Sequence, residues 1–129
     1  MKLIQEIILD HAKVQLFESN LVRIEIFSDH IIALDESRQI NDALGILSKG
    51  KQALVLMVAE EFAQFERSAT DFSASDEGLR YTIADALVVK SLSHKILANF
   101  YLKFNKPAKP TKIFTNEVDA VKWLFSLTN

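Results

Sequence analysis

The sequence predicts an α/β domain of the three-layer type with a mixed sheet, and three observations carry that expectation. From Lys13 to Ile26 apolar and polar side chains alternate on both sides of a turn-forming cluster, which is the period of an antiparallel hairpin. Ala53–Ala59 and Ala84–Val89 are apolar runs of strand length with polar flanks, as strands covered on both faces are. Around them lie stretches with apolar residues at helical spacing. A hairpin followed by helices alternating with strands describes parallel strands with helices packed on them and an antiparallel pair at one side. With 129 residues, 49% of them hydrophobic, the chain has the size of one domain, residues 1–129, and enough apolar side chains to fill its core without covalent staples.

Met1–Asp10 is partly apolar, but Glu6 and Asp10 interrupt it and no small-residue cleavage site follows, so it reads as mature protein and not as a signal peptide. Lys13–Phe17 and Leu21–Ile26 form the hairpin around Glu18-Ser19-Asn20. Asp35 then has the short acceptor side chain of an N-cap. Ile40, Ala43, Leu44 and Leu47 recur at helical spacing, and Gly50 stands where a left-handed C-cap residue belongs. Ala53–Ala59 is expected as a central parallel strand. Residues 62–81 are polar with scattered apolar side chains and predict a loop, then one or two short helices between Arg67 and Tyr81.

After the Ala84–Val89 strand, Ser91 or Ser93 caps a helix bearing Leu92, Ile96, Leu97, Phe100, Tyr101 and Phe104. Lys106–Pro110 is a stiff connector, because each proline lacks an amide donor and disfavours helical geometry in the residue before it. Thr111–Phe114 is a short strand and Thr115 an N-cap. Glu117 and Asp119 lie at the positive end of a last helix whose buried face is Val118, Val121, Leu124 and Phe125. Leu54, Leu56, Val58, Leu87, Val89 and Val121 are expected to be nearly fully buried.

A net charge of -2 and a pI near 5.9 supply no basic footprint, so neither nucleic acid nor an anionic membrane surface is an expected partner. The absence of cysteine excludes disulfides, a thiolate nucleophile and sulfur-ligated metals, and it suits a reducing cytoplasm, the expected location. No apolar run approaches the ~20 residues that span a bilayer, so no integral membrane association is expected.

His11, His30 and His94 stand apart, without a second ligand three or four residues away, and read as surface histidines with no metal expected. Glu60, Glu61, Glu66, Asp71, Asp76 and Glu77 lack a calcium-loop pattern and read as a solvated face. Gly45, Gly50 and Gly78 make no phosphate-binding loop, and there is no nucleophile elbow or Ser-His-Asp order, so neither a cofactor nor an enzyme is expected.

Lys90, Ser91, Ser93 and His94 stand where a buried strand feeds a helix N-terminus, whose free amides and hydroxyls can receive an anion; a double-serine cap accounts for the same residues. Leu97, Phe100, Tyr101 and Phe104 suit an apolar pocket, an interface or plain core packing. Trp123 points away from Val118 and Val121 and is a candidate contact residue. Ser68 and Thr70 are candidate phosphorylation sites, since a phosphate near a helix start gains from the dipole and free amides, although ordinary capping explains them equally. So short and apolar a chain is expected to leave an exposed patch, with Trp123 or Tyr101 in it, and to form a homodimer through it.

Residues 99–107 read Asn-Phe-Tyr-Leu-Lys-Phe-Asn-Lys-Pro, residues 110–115 Pro-Thr-Lys-Ile-Phe-Thr, and residues 120–124 Ala-Val-Lys-Trp-Leu. These segments resemble a family of small uncharacterised bacterial domains that looks like the STAS domains, the fold of anti-sigma-factor antagonists. The specific match covers the last third of the chain, and the upstream element order agrees in outline. The resemblance implies a STAS-like mixed sheet with an N-terminal antiparallel hairpin and parallel strands alternating with helices. It also implies a protein-binding domain that is not an enzyme. Some STAS domains are switched by phosphorylation of a serine at a helix start, after the strand that Ala53–Ala59 would represent. Their motif, Asp-Ser-Ser-Gly-Leu, does not carry over. Ser75-Asp76-Glu77-Gly78-Leu79 puts Asp76 in the phosphorylated slot, and too little chain remains before Ala84 for the helix that the motif opens.

The expected function is therefore a non-catalytic protein-interaction or regulatory module, its partner not encoded in anything legible. The alternative is a carrier of a small apolar or anionic, lipid-like ligand in a pocket beside helix 91–104. A closed, lined pocket would favour the carrier, and a dry, filled core would remove it.

Overall fold

The computed structural model describes residues 1–127. Three antiparallel strands come first: β1 (Leu3–Ile8), β2 (Ala12–Phe17) and β3 (Leu21–Ile26). The last two are the hairpin that the alternation predicts, and Ser19 and Asn20 turn the chain between them with φ of 66° and 61°. β1 adds a strand to that expectation. It is an edge strand with almost all of its residues exposed, so it has no buried face to mark it in the sequence.

After the two-residue β4 (Ile31–Ile32) comes α1 (Leu34–Leu47). Its N-cap is Ala33, whose N–H donates to the Glu36 carboxylate at 2.9 Å; Asp35 sits inside the first turn and does not cap it. The helix ends in a Schellman turn, in which Gly50 N–H donates to the Gly45 carbonyl and Lys49 N–H to that of Ile46. Lys49 already has a φ of 56°, so the left-handed cap starts one residue before the expected glycine.

β5 (Ala53–Ala59) pairs parallel with β3, and the short β6 (Gln64–Phe65) pairs with β4 in a separate two-stranded sheet. Then follow α2 (Arg67–Ala74), β7 (Thr82–Val89), α3 (Leu92–Phe104), β8 (Thr111–Phe114) and α4 (Glu117–Ser126). The main sheet runs in the order β1-β2-β3-β5-β7-β8, antiparallel in its first three strands and parallel from β3 onward.

The period of two in the strands sorts the core onto two faces. Val14, Val22, Ile24 and Val55 pack under Ile40, Leu44 and Leu47 of α1. Leu54, Leu56, Val58 and Val88 pack on the other face against Ala120 and Leu124 of α4. Leu54, Leu56, Val58 and Val89 are buried as expected, whereas Leu87 and Val121 are half-buried. α4 meets the sheet through its small Ala120 and through Leu124, four residues on, which leaves Val118 facing solvent. Asn116, not Thr115, caps α4, its Oδ1 accepting the Asp119 N–H at 2.9 Å. Arg23 of β3 ties down the same helix end, with Nε and Nη2 donating to Glu117 at 2.7 and 3.0 Å.

Candidate functional site

In β7 the alternation turns Ala84, Ala86 and Val88 toward α4, which leaves Asp85, Leu87 and Val89 for the opposite face. There the packing is incomplete. A cavity of about 110 Å³ lies between the sheet and α3, with Met57, Ala59, Asp85, Leu87 and Val89 on the sheet side. His94, Leu97, Ala98 and Tyr101 of α3 cover it, and Phe65, Thr70 and Ser73 close its flank. Phe65, Thr70, Leu97 and Tyr101 also line an outer groove of about 430 Å³ between α2 and α3, which continues past Phe100 and Phe104. Asn105 Nδ2 donates to Asp71 Oδ1 at 2.8 Å across that groove, joining α3 to α2. Behind Met57, Ser73 and Asp85 a smaller space of about 50 Å³ reaches under α1.

The polar atoms in this apolar lining are few. Asp85 Oδ1 is fully buried and has no hydrogen-bond partner among the described residues. Asp85 as a whole is half-buried and lines both spaces. Burial without compensation pushes its carboxyl up to about 7. The Tyr101 phenol is also raised well above its ordinary range, first by burial and then by the negative charge of Asp85. His94 lies 2.7 Å through Nε2 from the Ala63 carbonyl and meets the edge of Phe65 with ring centroids 5.7 Å apart. With Nε2 carrying the proton for that bond, the buried and unpartnered Nδ1 is an acceptor.

His94 is therefore not a surface residue. Neither is His11, which is buried with Nε2 3.2 Å from the Glu36 carbonyl; His30 is half-buried. In both buried cases Nε2 meets a backbone carbonyl, which offsets part of the cost of burying the ring. Among the described residues no three His, Asp or Glu side chains gather as a metal site.

Each of the residues read as an anion site has a partner in the fold. Lys90 Nζ lies 2.8 and 2.9 Å from the two oxygens of Glu60. Ser91 Oγ accepts the His94 N–H at 3.2 Å as the N-cap of α3, and Ser93 Oγ lies 3.3 Å from it.

The aromatic set of α3 divides. Leu97 and Tyr101 line the cavity, and Tyr101, only 6% exposed, is no part of a surface patch. Phe100 and Phe104 turn outward with ring centroids 4.1 Å apart. With Leu92 and Ile96 they make a stripe at four-residue intervals whose members are 55–74% exposed, so these rings are not core. Trp123 is half-buried against Phe114, with ring centroids 5.7 Å apart. Ser68 is exposed in the first turn of α2, while Thr70 Oγ1 donates to the Arg67 carbonyl at 3.1 Å and lines the cavity.

The cavity residues fall within residues 16–128, the stretch matched by a family model described as a domain of unknown function, DUF7793. The chain belongs to the DUF7793 family. Its fold is similar to that of an uncharacterized protein of the DUF3478 family with a SpoIIAA-like fold, from Shewanella loihica PV-4. That crystal structure matches with a TM-score of 0.60 and 11% identity over 88% of this chain and 91% of the other. At that identity the likeness is one of fold, and it is the STAS-like fold that residues 99–124 resemble. No curated protein matches this DUF7793 chain. No helix among its described residues is long and apolar enough to cross a membrane.

Asp85 is the site residue that the sequence reading passes over. Its signal is a lone acid in Ala84-Asp85-Ala86-Leu87-Val88-Val89, where a strand covered on both faces offers it little water.

Proposed function

We propose that this DUF7793 chain is a one-domain, non-catalytic binding module that holds a small, mostly apolar molecule between α3 and the parallel strands. One observation carries the reading: the cavity under α3 is apolar, shares lining residues with a groove, and is lined by Asp85, whose buried Oδ1 has no partner among the described residues. Protein interiors close to crystal-like density and pair their buried polar atoms, so a place that breaks both rules is where a ligand would complete the packing. Parallel α/β sheets commonly bind ligands near the carboxyl ends of their strands, the region to which Ala59 and Val89 belong. An apolar cavity of about 150 Å³ holds benzene. The space of about 110 Å³ is smaller and suits a short alkyl chain, with the rest of the molecule in the groove. Asp85, His94 and Tyr101 make no hydrogen bond to one another, so no assembled nucleophile-base pair supports an enzymatic reading.

The test is a methyl-NMR titration of the full chain with 1-hexanol. Shifts are expected at Leu87, Val89 and Leu97, with Leu56 and Leu124 on the opposite face unmoved. No shift at the cavity methyls up to the solubility of the alcohol would refute the reading.

A second reading, protein contact and homodimerisation, is favoured by the outward stripe of Leu92, Ile96, Phe100 and Phe104, which is unusually apolar for a solvent-facing helix. Light scattering coupled to size exclusion across a dilution series should then show a dimer that Phe100→Glu dissociates. A monomer at every concentration would remove self-association.

A further inference from the structure

Resting on the small-molecule reading above, we propose that the cavity recognises its ligand by a protonated amine placed against Asp85, with an apolar body along α3. The inner lining holds one acid and neither lysine nor arginine. Arg67, on the outer groove, extends into solvent beside Asp71. Most of the polar atoms already fixed in direction are acceptors. Once ionised, Asp85 is an acceptor only, and its Oδ1 has no partner among the described residues; His94 Nδ1 is left as an acceptor by the bond that Nε2 makes to Ala63, Thr70 has given its proton to the Arg67 carbonyl, and the Ser73 and Tyr101 hydroxyls are the neutral donors of the lining. What such a wall lacks is a donor that also balances the charge of an ionised Asp85. An ammonium group brings three and no acceptor.

Charge narrows the choice further. A carboxylate ligand would bring a second negative charge to Asp85 with no lysine or arginine in the lining to offset it, and two such groups cannot both stay ionised at close range. An alcohol can donate one hydrogen bond but leaves the buried charge of an ionised Asp85 unbalanced. An ammonium supplies both the bond and the opposite charge, and truncating one side of such a pair leaves the other isolated. Phe65 and Tyr101 add rings of the kind that attract cations through their faces. Leu97, Phe100 and Phe104 lead outward from the cavity and suit an alkyl or aryl tail.

Calorimetric titration of the full chain with n-hexylammonium, 1-hexanol and hexanoate in mildly alkaline solution tests this with one tail and three heads. The amine is expected to bind about tenfold or more tighter than either of the others, and Asp85→Asn should erase that preference while 1-hexanol binding persists. The wild-type ranking is itself decisive and needs no variant. If 1-hexanol or hexanoate binds as tightly as the amine, or if Asp85→Asn keeps the preference, the amine proposal is overturned and the apolar pocket stands. If none of the three binds, the pocket reading falls with it.

Discussion

Asp85→Asn is the substitution with the clearest energetic consequence. An unperturbed aspartate has a pKa of 3.8, whereas burial beside the empty space under α3 raises that of Asp85 to about 7. Each unit of difference between folded and unfolded states is worth about 1.36 kcal/mol, so some three units correspond to at most about 4 kcal/mol. Water entering the cavity would reduce this toward about 2 kcal/mol. The folded value lies above the unfolded one, so the folded chain keeps its proton longer. The stability associated with the neutral acid is fully present below the unfolded value and is lost as pH rises through the folded one. Asparagine has nearly the same shape and does not titrate. The variant should therefore differ little from wild type near about pH 4, and should exceed it by roughly 2 to 4 kcal/mol above about pH 7. Urea unfolding of both chains over this range gives the difference curve directly. A flat curve would mean that Asp85 is hydrated or paired in solution, and would remove the polar anchor from the proposed site.

Leu56→Ala, on the α4 face, should lower stability by about 2 to 5 kcal/mol in chemical denaturation, since it opens a void where Leu56 is now buried. Glu117→Gln should lower it by about 1 kcal/mol or less, because the Glu117 side chain is 38% exposed and solvent screens the Arg23 pair. Hydrogen bonding to Arg23 holds the Glu117 carboxyl below the usual range. The contribution is thus present above the ordinary glutamate value and should fade, in the same assay, as pH falls through the lowered one. Gly78→Ala should lower the melting temperature markedly, with a loss on the order of 3 kcal/mol, because an added Cβ would lie 2.0 Å from the Phe72 carbonyl oxygen. An unchanged melting curve would show that the turn after α2 has room to move.

Much of the architecture is legible in the sequence because it rests on period. The hairpin, β5, β7 and α1 all pair a recurring apolar pattern with a buried face, whereas the most regular apolar stripe of α3 faces outward. β1 escapes because it is exposed on both faces, and β4 and β6 because two residues have no period. The site is legible only in part. Leu97 and Tyr101 belong to an apolar set on α3 too wide to face one surface, and nothing in its spacing says that Phe100 and Phe104 are the half left outside. Asp85 is visible as a lone acid among apolar neighbours, but an apolar-run criterion absorbs it. The burial of His11 and His94 depends on carbonyls 25 and 31 residues away, which only the folded chain brings near.

The position of β2 has a practical bearing on how the domain is produced. The family match starts at Leu16, inside that strand. A recombinant fragment trimmed to the match would discard β1 and the first four residues of β2, including the fully enclosed Ala12 and Val14. Ile24 and Ile26 would lose their cross-strand partners, and β3 would present a bare apolar edge to any other unfolded copy. Such a fragment should collect in inclusion bodies, whereas one starting upstream of Leu3 keeps the sheet intact for expression and for transplanting the domain into fusions.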